Sequence, residues 1–287
     1  MNTSTDPSLP LEETISIVGV GLIGGSIAAA VKRRAGVRTV IGVGRRPEKL
    51  EPARERGLVD EVTGDLTAAA RRSSLMIFCT PVDRIVEGVR TAAEACRPGT
   101  VLTDAGSVKQ AICEGLQGGL PEGVEFVGGH PLAGSEKQGF EFADPDLFCG
   151  RVCVVTPTEQ TSPKAAERVA RFWRGLGARV LEMTPADHDR ALAETSHFPH
   201  LAAAALASTL SEQNRHLAAT GFRDTTRIAA GDPDLWTAIL LQNADAVLAS
   251  LKRFTDGIRD FDEALRQRDA TRLRALLDEA RRQREAL

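Results

Sequence analysis

Ile15-Ser16-Ile17-Val18-Gly19-Val20-Gly21-Leu22-Ile23-Gly24-Gly25-Ser26 joins a β-branched apolar run to a glycine-spaced turn, and an alanine-rich helical segment, Ser26 to Arg33, follows. The spacing is that of a dinucleotide seat. Gly19 permits the tight turn, Gly21 lets backbone approach a pyrophosphate, and Gly24 lets the helix pack close to the strand with its N-terminus facing the phosphates. Leu22 and Ile23 belong to the same cofactor-facing turn. A glycine-rich turn without a ligand needs neither the strand before it nor the helix after it.

The rest of the chain is bounded by its composition. Its 287 residues suffice for two substantial cores. With 42% hydrophobic and 26% charged residues it is an ordinary globular sequence, and a net charge of -3 gives no electrostatic reason to expect nucleic acid. Residues 1–12 are polar, contain Pro7 and Pro10, lack the basic and apolar regions of a leader, and read as a loose tail. No run of about eighteen apolar residues occurs, so no membrane span is expected. Five cysteines, odd in number and without a C-x-x-C pair, argue against a disulfide framework or a structural zinc site, and no metal is expected. A cytoplasmic location follows.

Short β-rich runs alternate with helical patterns through the first two-thirds of the chain: Ile15 to Gly19, Arg38 to Val43, Ser74 to Cys79, Thr100 to Asp104, Glu125 to Val127, Arg151 to Val155 and Ala178 to Glu182. This predicts a doubly wound, Rossmann-type α/β domain over 13–185, with later strands that need not all be parallel. Beyond Pro185 the strand signal stops. His197 to Leu217, Pro233 to Leu265 and Thr271 to Leu287 have helical periodicity, and Asp187, Asp232 and Asp269 stand near helix starts. An all-α domain over 186–287 is expected.

An acid about 20 residues past the glycines normally receives the ribose 2′-hydroxyl of NAD. This chain reads Gly42-Val43-Gly44-Arg45-Arg46-Pro47 there, with two guanidinium groups and no carboxylate. Arginine matches a phosphate in two-point fashion and stays charged, so NADP is favoured over NAD; as solvated loop charges, Arg45 and Arg46 would leave either cofactor acceptable. Cys79-Thr80-Pro81 and Asp104-Ala105-Gly106-Ser107-Val108-Lys109 both follow strands, at the sheet end where open α/β folds bind ligands. Ser107 is either a substrate-facing hydroxyl or a helix N-cap. In Gly128-Gly129-His130-Pro131-Leu132-Ala133-Gly134-Ser135-Glu136-Lys137-Gln138-Gly139, His130 is the side chain whose ordinary pKa suits proton removal near neutrality, with Glu136 and Lys137 close by.

Taken together with Ser196-His197-Phe198-Pro199-His200, and with Phe222 to Ala229 followed by Asp232-Pro233 and Trp236, these motifs resemble the prephenate/arogenate dehydrogenase family of tyrosine biosynthesis. The resemblance runs from about Ile15 to the last helices. It implies a nucleotide-binding domain followed by a helical domain that forms a homodimer. It also implies that His130 meets the substrate's ring hydroxyl as acceptor or base with Ser107 orienting it, and that His200 and Arg227 contact substrate from the helical domain. Glu136, His197 and Trp236 fall at or near the site by the same matching. The chain departs from the family pattern at Gly44, and it carries no mutase or regulatory domain, which points to a monofunctional enzyme.

The expected chemistry is oxidative decarboxylation: the ring carbon bearing the hydroxyl loses hydride to the nicotinamide, a base takes the hydroxyl proton, and loss of carbon dioxide restores aromaticity. Arg227 is expected to hold a substrate carboxylate, the side-chain one by preference, because an ion pair to the ring carboxylate would stabilise the group that must leave. Prephenate is favoured over arogenate, since His200 offers a hydrogen bond and no negative charge for an ammonium. A dehydrogenase of the β-hydroxy-acid type would use a lysine base and leaves the histidines without a role; a dinucleotide-sensing binding protein needs the glycines alone. His188 and His216 read as solvated helix-surface residues.

Overall fold

The computed structural model describes residues 14–34, 36–134 and 137–286, so the tail expected over 1–12 and Glu136 lie outside the described residues. The α/β part runs β1 (Thr14–Val18), α1 (Leu22–Arg34), β2 (Thr39–Val43), α2 (Glu51–Glu55), β3 (Glu61–Thr63), α3 (Leu66–Arg72), β4 (Leu75–Phe78), α4 (Val82–Ala93), β5 (Val101–Asp104), α5 (Gln110–Leu116), β6 (Glu125–Pro131), β7 (Val152–Thr156), α6 (Pro163–Gly175) and β8 (Arg179–Glu182). They form one eight-stranded sheet in the order β3-β2-β1-β4-β5-β6-β7-β8. Neighbours are parallel except β6 and β7. Strand order reverses between β1 and β4, which opens a crevice at their carboxyl ends.

Helices cover both faces, so the central strands are apolar on both sides. Ile15 and Ile17 of β1 join Ile27, Val31, Phe148 and Trp173 in one buried cluster; Val18, on the opposite face by the two-residue period of a strand, joins Met76, Phe78, Ile85, Val89 and Ile112 in the other. Each large side chain so buried contributes about 1.5–3 kcal/mol before entropy is counted. The three-residue edge strand β3 gave no run long enough to read in the sequence.

The remaining chain is helical: α7 (Pro185–Leu192), a π turn (Ala193–His197), α8 (Phe198–Ser208), α9 (Thr220–Thr226), α10 (Pro233–Gln242), α11 (Ala244–Arg266) and α12 (Ala270–Glu285). Pro185 starts α7 at its first turn, where proline's missing N–H costs nothing, and the Thr184 hydroxyl accepts from the Asp187 amide. Asp232 and Asp269 cap α10 and α12 in the same way. Two expected helices are broken. The segment from His197 to Leu217 divides into α8 and a 3-10 turn at Glu212–Leu217, and at its start Pro199 cannot donate a helical hydrogen bond, so the turn before it, Ala193–His197, widens. The segment from Pro233 to Leu265 divides at Asn243, which leaves the helical region at φ -118° and ψ 30°.

Candidate active site

The glycine turn packs as closely as its spacing requires. Gly19 sits at φ +94°, and a Cβ there would stand 2.8 Å from the Cys79 carbonyl oxygen; one at Gly24 would stand 2.2 Å from the Gly19 carbonyl oxygen. Only glycine lets β1, α1 and the end of β4 meet. A Cβ at Gly21 would meet nothing within 4 Å, so space is open before α1, whose first turn, Leu22 and Ile23 included, carries no acidic residue. The Thr80 hydroxyl, between Cys79 and Pro81 at the exit of β4, is buried without a hydrogen-bond partner. Open space before the positive end of a helix, beside an orphaned hydroxyl at the switch point of the sheet, fits a dinucleotide. At the end of β2 the Gly44 amide donates to the Thr63 carbonyl (3.1 Å), and Arg45 and Arg46 are exposed. Neither arginine has an ion-pair partner among the described residues.

His130 lies near the end of β6, two strands from β4, where it pairs with Val154 of β7. The glycines before it are steric: a Cβ at Gly128 would stand 2.3 Å from the Thr156 hydroxyl. The imidazole is only 8% exposed. Its Nδ1 lies 2.8 Å from His188 Nε2, and His188 Nδ1 lies 2.6 Å from Asp189 Oδ1. The same carboxylate accepts the backbone amides of Lys109 (2.8 Å) and Gln110 (2.9 Å), capping α5 from the helical domain. Ser107 is therefore not the cap; it is half-buried in the loop before α5. Lys109, the last residue of the segment that follows β5, points into the core, where Nζ donates to Asp104 Oδ2 and both side chains are fully buried. Asp104 also accepts the amides of Gly106 (2.9 Å) and Gly129 (3.0 Å), tying the Ser107 loop to the His130 strand.

The solvated His188 expected from sequence is overturned. Its side chain is fully buried because α7 packs against α5 and β7, a contact between distant segments that local periodicity does not reveal. His216 is exposed.

The second histidine group stands on the π turn and α8. Asn243 Nδ2 donates to the Asp189 carbonyl (2.8 Å) and lies 2.9 Å from His197 Nδ1, so His197 carries its proton on Nε2. His200 stacks on Trp236 with ring centroids 3.6 Å apart and planes at 12°, its Nδ1 buried and unpartnered. Trp236 also meets His197 edge-on, 6.3 Å between centroids. Arg227 opens the 3-10 turn Arg227–Ala230, which packs on α8; it is exposed and without an ion-pair partner among the described residues. Gln138 Nε2 donates to Asp232 Oδ2 (2.9 Å) and joins the loop after β6 to the start of α10.

Burial sets the protonation of this group. Desolvation holds His130 well below the ordinary imidazole value, helped by repulsion from His188, Lys109 and His197. His188 is lowered by burial despite Asp189, His197 falls to about 4 by burial, and His200 is lowered by burial alone. All four imidazoles are neutral near pH 7. A neutral His130 can accept a proton, and the exposed Arg227 can attract a carboxylate. Sequence reasoning missed Asp189 and Asn243, both buried at contacts between segments far apart in the chain; the adjacency of His188 and Asp189 was the one visible signal.

Comparison with known proteins agrees with the fold, an α/β domain followed by a helical one. The family described as prephenate dehydrogenase, nucleotide-binding domain, matches residues 27–182, and that described as prephenate dehydrogenase, dimerization domain, matches residues 184–279. Prephenate dehydrogenase of Bacillus subtilis is 35% identical over 273 residues, 92% of this chain and 73% of that protein. Cyclohexadienyl dehydrogenase of Zymomonas mobilis is 34% identical over 280 residues, 95% of each. The crystal structure of prephenate dehydrogenase from A. aeolicus in complex with hydroxyphenyl propionate and NAD+ matches with a TM-score of 0.90 at 31% identity, covering 97% of this chain and 99% of that one. The chain belongs to the prephenate/arogenate dehydrogenase family, the NAD(P)-dependent dehydrogenases of tyrosine biosynthesis.

Proposed function

We propose that this chain oxidatively decarboxylates prephenate to 4-hydroxyphenylpyruvate with NADP as the favoured acceptor, in the cytoplasm and as a homodimer. The observation that carries the reading is His130: a buried, neutral imidazole with Nδ1 occupied by His188 and Nε2 without a partner among the described residues. The bound nicotinamide supplies the hydride acceptor. His130 takes the proton of the ring hydroxyl, with Ser107 as the orienting hydroxyl. The electron pair of the breaking carbon–carboxylate bond then enters the ring as a phenolate, which recovers the proton from His130. No net proton is released, so the base needs no exit to solvent. His200, held flat against Trp236, donates a hydrogen bond to the substrate, His197 contributes to the same wall, Glu136 is kept as a substrate contact on the family resemblance alone, and Arg227 holds the side-chain carboxylate.

Prephenate is favoured over arogenate because Asp232, next in the chain to the Gly231 that abuts His200 and Trp236, is already engaged. Asp232 accepts the amides of Asp234 and Leu235 and the Gln138 amide group, leaving little acceptor capacity for a substrate ammonium. Pairing of two copies is supported by apolar side chains left in water on the helical part: Leu241 is 72% exposed, and Leu248, Ile258 and Leu265 are also exposed. The five thiols are free, which fits a reducing compartment, and no described helix is long and apolar enough to cross a membrane. The test is the appearance of reduced nicotinamide when purified protein is given prephenate or arogenate with each cofactor. Turnover of arogenate alone overturns the substrate assignment.

The cofactor assignment yields a specific expectation. A charge-assisted arginine–phosphate contact of about 1.5–3 kcal/mol corresponds to roughly tenfold to hundredfold preference for NADP. Gly44→Asp combined with Arg45→Asn removes one attraction and adds a repulsion, and should shift the ratio of kcat/KM values towards NAD by at least about tenfold. The new side chain is sterically affordable, since a Cβ at Gly44 would stand 2.8 Å from Leu50 Cδ1, the mobile end of a side chain. A parent that prefers NAD, or a ratio unmoved by the double change, contradicts the assignment.

A further inference from the structure

We propose that His188 and Asp189 are positioning residues for His130, holding its proton on Nδ1 so that the lone pair at Nε2 is the one offered to the substrate. The inference deepens the reading of His130 as base and rests on it. It follows from hydrogen-bond accounting along one buried chain. The Asp189 carboxylate only accepts, and it already takes the amides of Lys109 and Gln110. At 2.6 Å from Oδ1, His188 Nδ1 must therefore donate, which leaves His188 Nε2 as an acceptor. At 2.8 Å from that acceptor, His130 Nδ1 must donate in turn. The neutral imidazole of His130 has one proton, now assigned to Nδ1. Nε2 is the free base, and the substrate's proton adds there while the Nδ1 hydrogen stays in its bond to His188.

The chain is anchored from both domains. Asp189 is fixed by two amides at the start of α5 and through its own carbonyl by Asn243, so the orientation of His130 is tied to the docking of α7 against the sheet. The charged and titratable groups facing the pair are Lys109 and Asp104 from the β5–α5 connection, His197 from the π turn and Cys153 from β7. A merely structural His188 would fill space there, and an apolar side chain could replace it.

Three variants separate these roles. In His188→Gln the carboxamide oxygen can accept from His130 Nδ1 while its nitrogen donates to Asp189. In His188→Leu neither bond forms. In Asp189→Ala no acceptor holds the His188 proton on Nδ1, so His188 can turn its N–H towards His130 and both tautomers of His130 become populated. Long-range ¹H–¹⁵N spectra of the protein labelled at its five histidines report the tautomers without substrate. The parent and His188→Gln should show His130 protonated on Nδ1, and Asp189→Ala should show a measurable share protonated on Nε2. Turnover should follow: kcat about 10²-fold lower or more in His188→Leu, lower by a smaller factor in Asp189→Ala, KM for cofactor little changed, and His188→Gln within about tenfold of the parent.

A parent whose His130 carries its proton on Nε2, or a tautomer and kcat unmoved in His188→Leu, overturns the proposal. Should that variant not fold, Asp189→Ala and His188→Gln decide it: a His130 tautomer that is the same in both overturns the proposal. The predicted tautomers in a protein that turns over neither prephenate nor arogenate would defeat the substrate assignment and leave the positioning pair standing.

Discussion

His130→Asn should lower kcat by at least about 10²-fold, the usual size of a general base's contribution, while KM for substrate and cofactor changes little. The substitution isolates the base from its surroundings. A carboxamide nitrogen at this position can donate to His188 Nε2 as Nδ1 does in the parent, so the buried chain to Asp189 stays satisfied. What is lost is a lone pair that can take a proton near neutral pH. The measurement is a steady-state comparison with the parent, accompanied by thermal unfolding to confirm an intact fold. Turnover within a few-fold of the parent would remove His130 from the chemistry.

The second large effect is on stability. Lys109→Met keeps the aliphatic stem packed and removes only the ammonium, leaving the Asp104 carboxylate fully buried with the amides of Gly106 and Gly129 but without its counter-charge. Breaking a buried pair from one side costs about 3–5 kcal/mol, because the remaining charge stays desolvated. Urea unfolding followed by circular dichroism should show a loss of that size. Lys109→Met with Asp104→Asn should recover part of it, since the orphaned charge is then gone and the carboxamide oxygen still accepts an amide. A loss under about 1 kcal/mol in the single variant would contradict the account of this pair.

The contrast between these two residues shows what is legible in a sequence. The glycine turn, the strand alternation and the passage to helices are local patterns: Gly19 and Gly24 fall where β1 and α1 must touch, and Ile15, Ile17 and Val18 alternate between two cores. Pro199, Thr184, Asp232 and Asp269 likewise act on neighbours a few residues away. His188, Asp189 and Asn243 do not. Their burial arises where α7 and α11 meet the loop before α5, eighty residues from Asp189 in the case of Lys109, and no periodicity records that meeting. Lys109 turns inward to Asp104 on the preceding strand, a direction that sequence spacing does not show. Near the nucleotide, Gly44-Arg45-Arg46 was readable because the relevant fact is an absent carboxylate.

The central claim is that a neutral His130 is the base, and the pH dependence of kcat/KM for prephenate at saturating cofactor tests it most directly, because that ratio reports ionisations of the enzyme before substrate binds. Burial and the charges around His130 lower its pKa, so the lone pair persists to lower pH than in an ordinary imidazole. The account predicts a profile flat through neutrality that falls only as pH drops below 6.5, the ordinary imidazole value, with protonation of His130. An acid limb with its midpoint at or above 6.5 would contradict it.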